Sequence, residues 1–193
     1  MPYPAKTDRA AILAEAVFQL ERDGMRALSL RGLASSLGLA PNALYRYFTD
    51  RAALENALTA ESTRELHIAL QLAVAADPES HAAIRALSLA YLQFARAHPH
   101  LYQAMMVACP SGSTGDARHD DLWNFVGEQV ARLAAPHAVE GAAIALWAFL
   151  HGMVALEAAG VFRESKSDSS FDFGLSAWFD AARATATLKE RTA

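Results

Sequence analysis

The chain has 193 residues, and its 17 Lys and Arg stand against 21 Asp and Glu for a formal charge of −4. That length gives room for one large domain or two small ones around a buried core, and the charge excludes a generic polycation that coats nucleic acid, though not a local basic patch. Hydrophobic residues at 53% and charged residues at 20%, against roughly 45–50% and 25% for an average soluble domain, exclude disorder over most of the length and point to extra apolar surface, at an oligomer interface or a ligand cavity.

Alanine and leucine dominate, β-branched residues are sparse and no period-two segment stands out, so the chain reads as helices almost throughout. Ala10 to Asp23 places Ile12, Leu13, Ala16, Val17 and Leu20 on one stripe, with Thr7 as N-cap and Gly24 as the stop. Ser29 to Leu37 is a short helix ending at Gly38, and Pro41 to Phe48 a shorter one with proline in its first turn. Thr49 or Asp50 caps a long helix that runs to about Ala76 and stops at Asp77-Pro78. From Ala82 to Ala97, Ile84, Leu87, Tyr91 and Phe94 recur at helical spacing. A turn at His98-Pro99-His100 leads into a short helix to about Ala108. Residues 110–121 read as a polar, mobile loop. Helices follow over Leu122 to Ala134 and Ala138 to Val161; then a polar stretch from Arg163 to Ser170 precedes a last helix from about Asp172 to Leu188. The expectation is an all-α chain of about nine helices, without internal repeats.

Charge divides along the chain. Residues 1–50 carry six bases and five acids, whereas the remainder carries 11 bases and 16 acids. A near-neutral head of three helices is joined to an acidic body. The single cysteine, Cys109, cannot form an intramolecular disulfide. The N-terminus lacks the apolar run of a signal peptide, and residues 141–156 are shorter than the ~18–20 apolar residues of a membrane span. A soluble, cytoplasmic protein without membrane contact is expected.

The informative segment is SLRGLASSLGLAPNALYRYF, from Ser29 to Phe48. Leu30, Leu33, Ala34 and Leu37 form the buried face of its first helix, and Leu44 and Phe48 that of its second. Gly38 lets the chain reverse within a few residues, as in a helix-turn-helix. Pro41, Asn42, Ala43, Tyr45, Arg46 and Tyr47 then project outward with no acid among them. The run LSLRGLASSLGLAPNALYRYFTDRAALENAL, through about Leu58, resembles the head of the TetR family of bacterial transcriptional regulators. Trp147-Ala-Phe-Leu-His151-Gly152, preceded by Ala97 to Met106, resembles the Trp…His-Gly subgroup of that family in its ligand domain.

The resemblance implies a DNA-binding head at residues 1–50, together with the start of the connecting helix to about residue 66. It implies a ligand-binding and dimerisation domain over 51–193. Pro41, Asn42 and Ala43 would meet base edges in the major groove, Asn42 pairing with adenine and Ala43 touching a thymine methyl. Arg31 would reach guanine or phosphate, while Tyr45, Arg46 and Tyr47 would position the helix on the backbone. Thr49 and Arg51 match a phosphate anchor at a helix start, and Lys6 and Arg9 an arm near the DNA. Ala40 departs from the serine or threonine often found there. Read without the family, Arg31 and Arg46 are also ordinary surface arginines, and Tyr47 also fits the core of the head.

In the body, Trp147 and His151 stand four residues apart on one helical face. With Tyr91, Phe94, Tyr102, Met105, Met106 and Phe125 they compose either a packed core or the wall of a ligand cavity; the family implies the cavity. Phe149 fits the same wall. The histidines show no zinc-ligand spacing, and Cys109 has no basic neighbour in sequence to activate it; no metal or cofactor is expected. The implied function is a homodimeric repressor, paired through the helices at 138–161 and 172–188 with Trp178 and Phe179 in the interface. Double-stranded operator DNA and an unidentified, largely apolar small molecule that releases it are the expected partners. A ligand-independent repressor or an activator stays open, as does a small all-α enzyme using His151 or Cys109, for which no catalytic spacing is present.

Overall fold

The computed structural model describes residues 8–107, 117–161 and 164–190. Within them the chain is all-helical, with nine α-helices and no strand: α1 Arg9–Asp23, α2 Leu30–Ser36, α3 Pro41–Leu44, α4 Arg51–Ala76, α5 Ser80–Ala97, α6 Pro99–Val107, α7 Ala117–Val130, α8 Val139–Ala158 and α9 Glu164–Glu190. A 3-10 turn, Pro136–Ala138, leads into α8. The helices group into two compact units. The first holds α1, α2, α3, α4 up to Glu65, and α6; the second holds α4 from Leu66, α5, α7, α8 and α9.

Local chemistry sets the helix ends. Asp8, not the predicted Thr7, caps α1: its extended backbone lets Oδ1 accept the Ala11 N–H at 2.8 Å. Ser29 caps α2 through the Gly32 N–H. At the other end Gly38, with φ of +65°, allows the N–H of Leu39 to reach Ala34 O at 2.8 Å and that of Gly38 to reach Ser35 O, a Schellman turn. Asp50 caps α4 by accepting the Ala53 N–H at 2.7 Å. Glu79 accepts the N–H groups of His81 and Ala82, which starts α5 two residues earlier than the periodicity suggests.

Three boundaries differ more. The α-helical part of α3 is four residues, not eight; beyond it the backbone tightens into turns in which Tyr47 N–H donates to Leu44 O at 2.9 Å. The end of the expected 110–121 loop is helical instead: α7 begins at Ala117, and its first turn carries Asp120, the favourable charge at a helix start. The rest of that predicted loop lies outside the described residues. From Glu164 to Ser170 the expected polar stretch forms the first two turns of α9; Arg163 lies outside the described residues. There Ser167 Oγ donates to Glu157 Oε1 at 2.5 Å, so a residue that looks like loop in sequence is held by α8.

In the first unit Ile12, Ala16 and Leu20 of α1 pack with Leu33, Ala34, Leu44, Phe48, Leu54 and Leu58, all buried. Helix α6 packs against α1. In the second unit α8 packs against α5, α7 and α9, burying Leu146, Leu150 and Met153 with Ile84, Leu87, Phe171, Leu175 and Trp178. A Cβ on Gly174 would fall 2.3 Å from Cε2 of Phe149, so glycine is what admits α9 this close to α8. Trp178 serves the same contact. Its Nε1 donates to Ala142 O at 2.9 Å, which commits it to the chain's own packing and removes it from the predicted interface between copies.

Residues 136–158 form one helical stretch of 23 residues, long and apolar enough by length and composition to cross a membrane, with a mean hydropathy of 1.6 over its most apolar 18 residues. Within it the run free of Asp, Glu, Lys and Arg is residues 141–156, bounded by Glu140 and Glu157. It packs against three helices of the second unit, yet only 22% of its most apolar 18 residues is buried. Ile144, Trp147 and Leu156 are exposed along it, and Phe173 of α9 is 79% exposed.

An ion pair closes the second unit on itself. Arg96 of α5 donates to both carboxylate oxygens of Glu157, at 2.8 and 2.6 Å. Those hydrogen bonds hold the Glu157 carboxyl below its usual range against the opposing effect of burial, with Ser167 and the Arg96 charge adding to them. A carboxyl depressed on folding stabilises the fold above its unfolded pKa, about 4.3, and that contribution disappears as pH falls through the lowered folded value. Thermal melts should therefore show Glu157→Gln less stable than wild type at pH 7, by about 1 kcal/mol for this half-exposed pair. The two curves should converge as pH falls through the lowered folded value; a gap that stays constant from pH 7 down into the acid range would refute the pair's contribution.

Candidate functional site

The exposed face of the first unit is built on two anchors. Leu44 and Phe48 are 0% and 1% exposed, and with them inside, the intervening side chains face out. Arg31, Pro41, Asn42, Tyr45, Arg46, Tyr47 and Thr49 are all exposed, and Ala43 is half-buried. Tyr45 stands 53% exposed and Tyr47 37%, so the alternative of Tyr47 as a core residue does not hold. From Gly24 to Thr49 the sequence contains three arginines and no acid. The face combines cations, phenol hydroxyls and one carboxamide, all of them groups that donate hydrogen bonds to phosphate or base edges.

Two expected backbone contacts are held elsewhere. Arg51 donates through Nε to Glu55 Oε1 at 2.6 Å and through Nη2 to Met25 O at 3.0 Å, pinning the start of α4 to the α1–α2 connection. Arg9 opens α1 and sets its guanidinium 5.0 Å from the Phe48 ring centroid, so it is part of the folded head and not of a free arm. Lys6, like Cys109, lies outside the described residues.

The predicted ligand residues divide between the units. Tyr102, Met105 and Met106 belong to α6 in the first unit, the first two buried and Met106 half-buried; Tyr91, Phe94, Phe125, Trp147 and His151 belong to the second. In the second unit, Trp147 stacks on His151 with centroids 5.7 Å apart and meets Trp123 edge-on at 5.7 Å. Trp123 also meets His119 edge-on, making an aromatic ladder along α7 and α8. An open groove of about 670 Å³ between α7 and α8 is lined by Trp123, Glu128, Glu140 and Ile144 among others, and by none of the eight predicted ligand residues.

One candidate escaped sequence reasoning. Nε2 of His67, on the second-unit part of α4, is buried without a hydrogen-bond partner. Its ring lies 5.2 Å from that of Phe125, tilted by 49°. A lone histidine within a long helix carries no signal in sequence; only the surroundings reveal the bare nitrogen. Leaving such a group unsatisfied costs about 1–3 kcal/mol, and buried orphans of this kind mark places where a ligand or water completes the bonding.

Comparison with known proteins places these features. Residues 12–58 match the family model described as bacterial regulatory proteins of the tetR family. Residues 84–178 match the model described as the tetracyclin repressor-like C-terminal domain; the Trp…His-Gly subgroup rests on its motif alone. The chain is 27% identical over 173 residues to an uncharacterized HTH-type transcriptional regulator of Mycobacterium tuberculosis, covering 87% of this chain and 78% of that protein. A solved structure of a protein with unknown function from Rhodococcus sp. RHA1 superposes with a TM-score of 0.83 at 26% identity, over 95% of this chain and 99% of that one. A TetR variant from Acinetobacter baumannii AYE in complex with minocycline superposes with a TM-score of 0.67 at 21% identity, over 91% and 96% of the two chains, and shares the fold.

The orphaned nitrogen makes a direct prediction. Replacing it by carbon in His67→Leu should leave the melting temperature unchanged or raise it by a few degrees, since the desolvation cost disappears with the nitrogen. A loss of about 2 kcal/mol or more would mean that the nitrogen is already satisfied, by an ordered water.

Proposed function

The chain belongs to the TetR family of DNA-binding transcriptional regulators, and on that premise we propose that it is a homodimeric repressor released from its operator by a small, largely apolar molecule. The observation that carries the reading is the presentation of α3: two buried anchors hold it, and an acid-free, arginine- and tyrosine-bearing face looks outward. Residues 1–50 form the DNA-binding part, and the chain from 51 to 193 serves ligand binding and pairing. Asn42 and Ala43 read base edges from the start of α3, and Arg31 reaches base or phosphate from α2. Tyr45, Arg46, Tyr47 and Thr49 fix the register on the backbone. Arg51 acts by pinning α4 through Glu55 and Met25, and its contact to phosphate is secondary to that role.

Pairing through α8 and α9 is supported by the apolar surface they leave uncovered. Ile144, Leu156 and Phe173 are exposed, beside the small residues Gly141, Ala145 and Ala148. A two-fold dimer sets two copies of α3 into successive major grooves, about 34 Å apart in ideal duplex. The ligand belongs to the second unit, where His151 against Trp147 and the bare Nε2 of His67 beside Phe125 offer polar contacts within aromatic walls. That a neighbour in fold takes minocycline supports an aromatic ligand of moderate size. A ligand preferring the DNA-released state by ~1.4–2.7 kcal/mol shifts operator affinity 10–100-fold. A cytoplasmic location follows from this function.

Gel-shift titration of the DNA upstream of the coding sequence tests the assignment. Arg31→Ala and Tyr45→Ala should each weaken binding by about tenfold, within the 1–3 kcal/mol of a lost specific contact. Melting temperatures should stay close to wild type, because both side chains are exposed. Undiminished binding in both variants would overturn the interface.

A further inference from the structure

The ends of α1 and α6 cap one another. Helix α6 opens with Pro99 and must find partners for the free N–H groups of its first turn. The N–H of Leu101 donates to Oε1 of Glu21, on α1, at 2.8 Å. The other carboxylate oxygen lies 3.5 Å from Nδ1 of His98. In return, Nδ1 of His100 lies 3.0 Å from the backbone oxygen of Glu21; a carbonyl oxygen only accepts, so Nδ1 is the donor. That oxygen is among the last four carbonyls of α1, which lack partners inside the helix. The acidic cap meets the positive start of α6, and the histidine meets the negative end of α1, as the helix dipoles favour.

Leu101 is gripped from a second direction. Its carbonyl accepts from Ser62 Oγ of α4 at 2.7 Å, and Ser62 is fully buried. Thr59 Oγ1 donates to Ala104 O at 3.3 Å, one turn further along α6. The backbone of one residue is thus clamped on its N–H by α1 and on its C=O by α4. The clamp occupies the first residues after the chain leaves the second unit at Ala97 and enters the first at His98.

We propose that Glu21 is a positioning residue: with His100 and Ser62 it seats α6 in the DNA-binding unit, so that the seating of α6 and the DNA affinity of the head are linked. This rests on the regulator reading above. Linkage is reciprocal. If a seated α6 favours the DNA-competent head, bound DNA must in turn hold α6 more firmly.

Residue-resolved amide exchange on the full chain, with and without the upstream DNA fragment, reads this out. Bound DNA should slow exchange at Leu101 severalfold. In the free protein, Glu21→Ala should speed exchange at Leu101 tenfold or more while leaving the amides of Ala16 and Leu20 in the α1 core as they were, and should weaken DNA binding severalfold. Glu21→Gln keeps an oxygen that accepts from Leu101 and should restore both. Exchange at Leu101 that is unmoved by bound DNA overturns the linkage while leaving the regulator reading intact. A wild type that retains no DNA removes that reading and the linkage together. Acceleration of every amide in the head by Glu21→Ala, or a Glu21→Gln variant as impaired as the alanine, reduces the clamp to general stability and overturns the proposal.

Discussion

The burial of Leu44 and Phe48 decides what the rest of the head can present. A four-residue helix does not stand alone, since fixing its first turn costs more than its few hydrogen bonds return, and Ala40 offers α3 no side-chain cap. Two apolar side chains, each worth about 1.5–3 kcal/mol when fully buried, hold it in the head, where it packs against α2. The Schellman turn at Gly38 sets the direction from which it arrives. With packing done by these two residues, Pro41, Asn42, Tyr45, Arg46 and Thr49 are exposed, Tyr47 is 37% exposed and Ala43 is half-buried. The surface is free to be polar because its anchors are not.

Electrostatics acts on the same scale. A chain of net charge −4 is repelled by duplex DNA at long range. The attraction has to come from the 26 residues between Gly24 and Thr49, where three arginines meet no acid. Such binding weakens steeply with salt, and it depends on hydrogen-bond geometry at the face more than on bulk charge. Arg9 over Phe48 and Arg51 on Met25 and Glu55 show that not every cation of the head is available for DNA.

Most of the fold is legible in the sequence because helices announce themselves through spacing and caps: the stripes on α1 and α5, Ser29, Gly38, Asp50 and Asp77-Pro78 all fall where the pattern puts them. The misses share a cause. The start of α9 reads as a loop because Ser167 and its neighbours are polar, and the partner that holds Ser167 is a carboxylate on another helix. Trp178 reads as an interface residue, and only the bond from its Nε1 to Ala142 O shows otherwise. Thr7 and Asp8 are both capping residue types, and the bond from the Ala11 N–H to Asp8 Oδ1 identifies Asp8 as the cap. His67 has no sequence signature at all, because an orphaned nitrogen is defined by what surrounds it. The exposed residues of the head are legible for the opposite reason: leucine and phenylalanine at fixed spacing declare what is inside, and the remainder must face out.

In the proposed dimer, α3 of each copy enters the major groove of duplex DNA, and hydroxyl-radical footprinting on the upstream fragment reads that placement. Two protected patches are expected on one face of the duplex, related by a two-fold axis and centred about one helical turn or slightly more apart. Uniform protection without a phased pattern, or a single patch that persists at saturating protein, would contradict it.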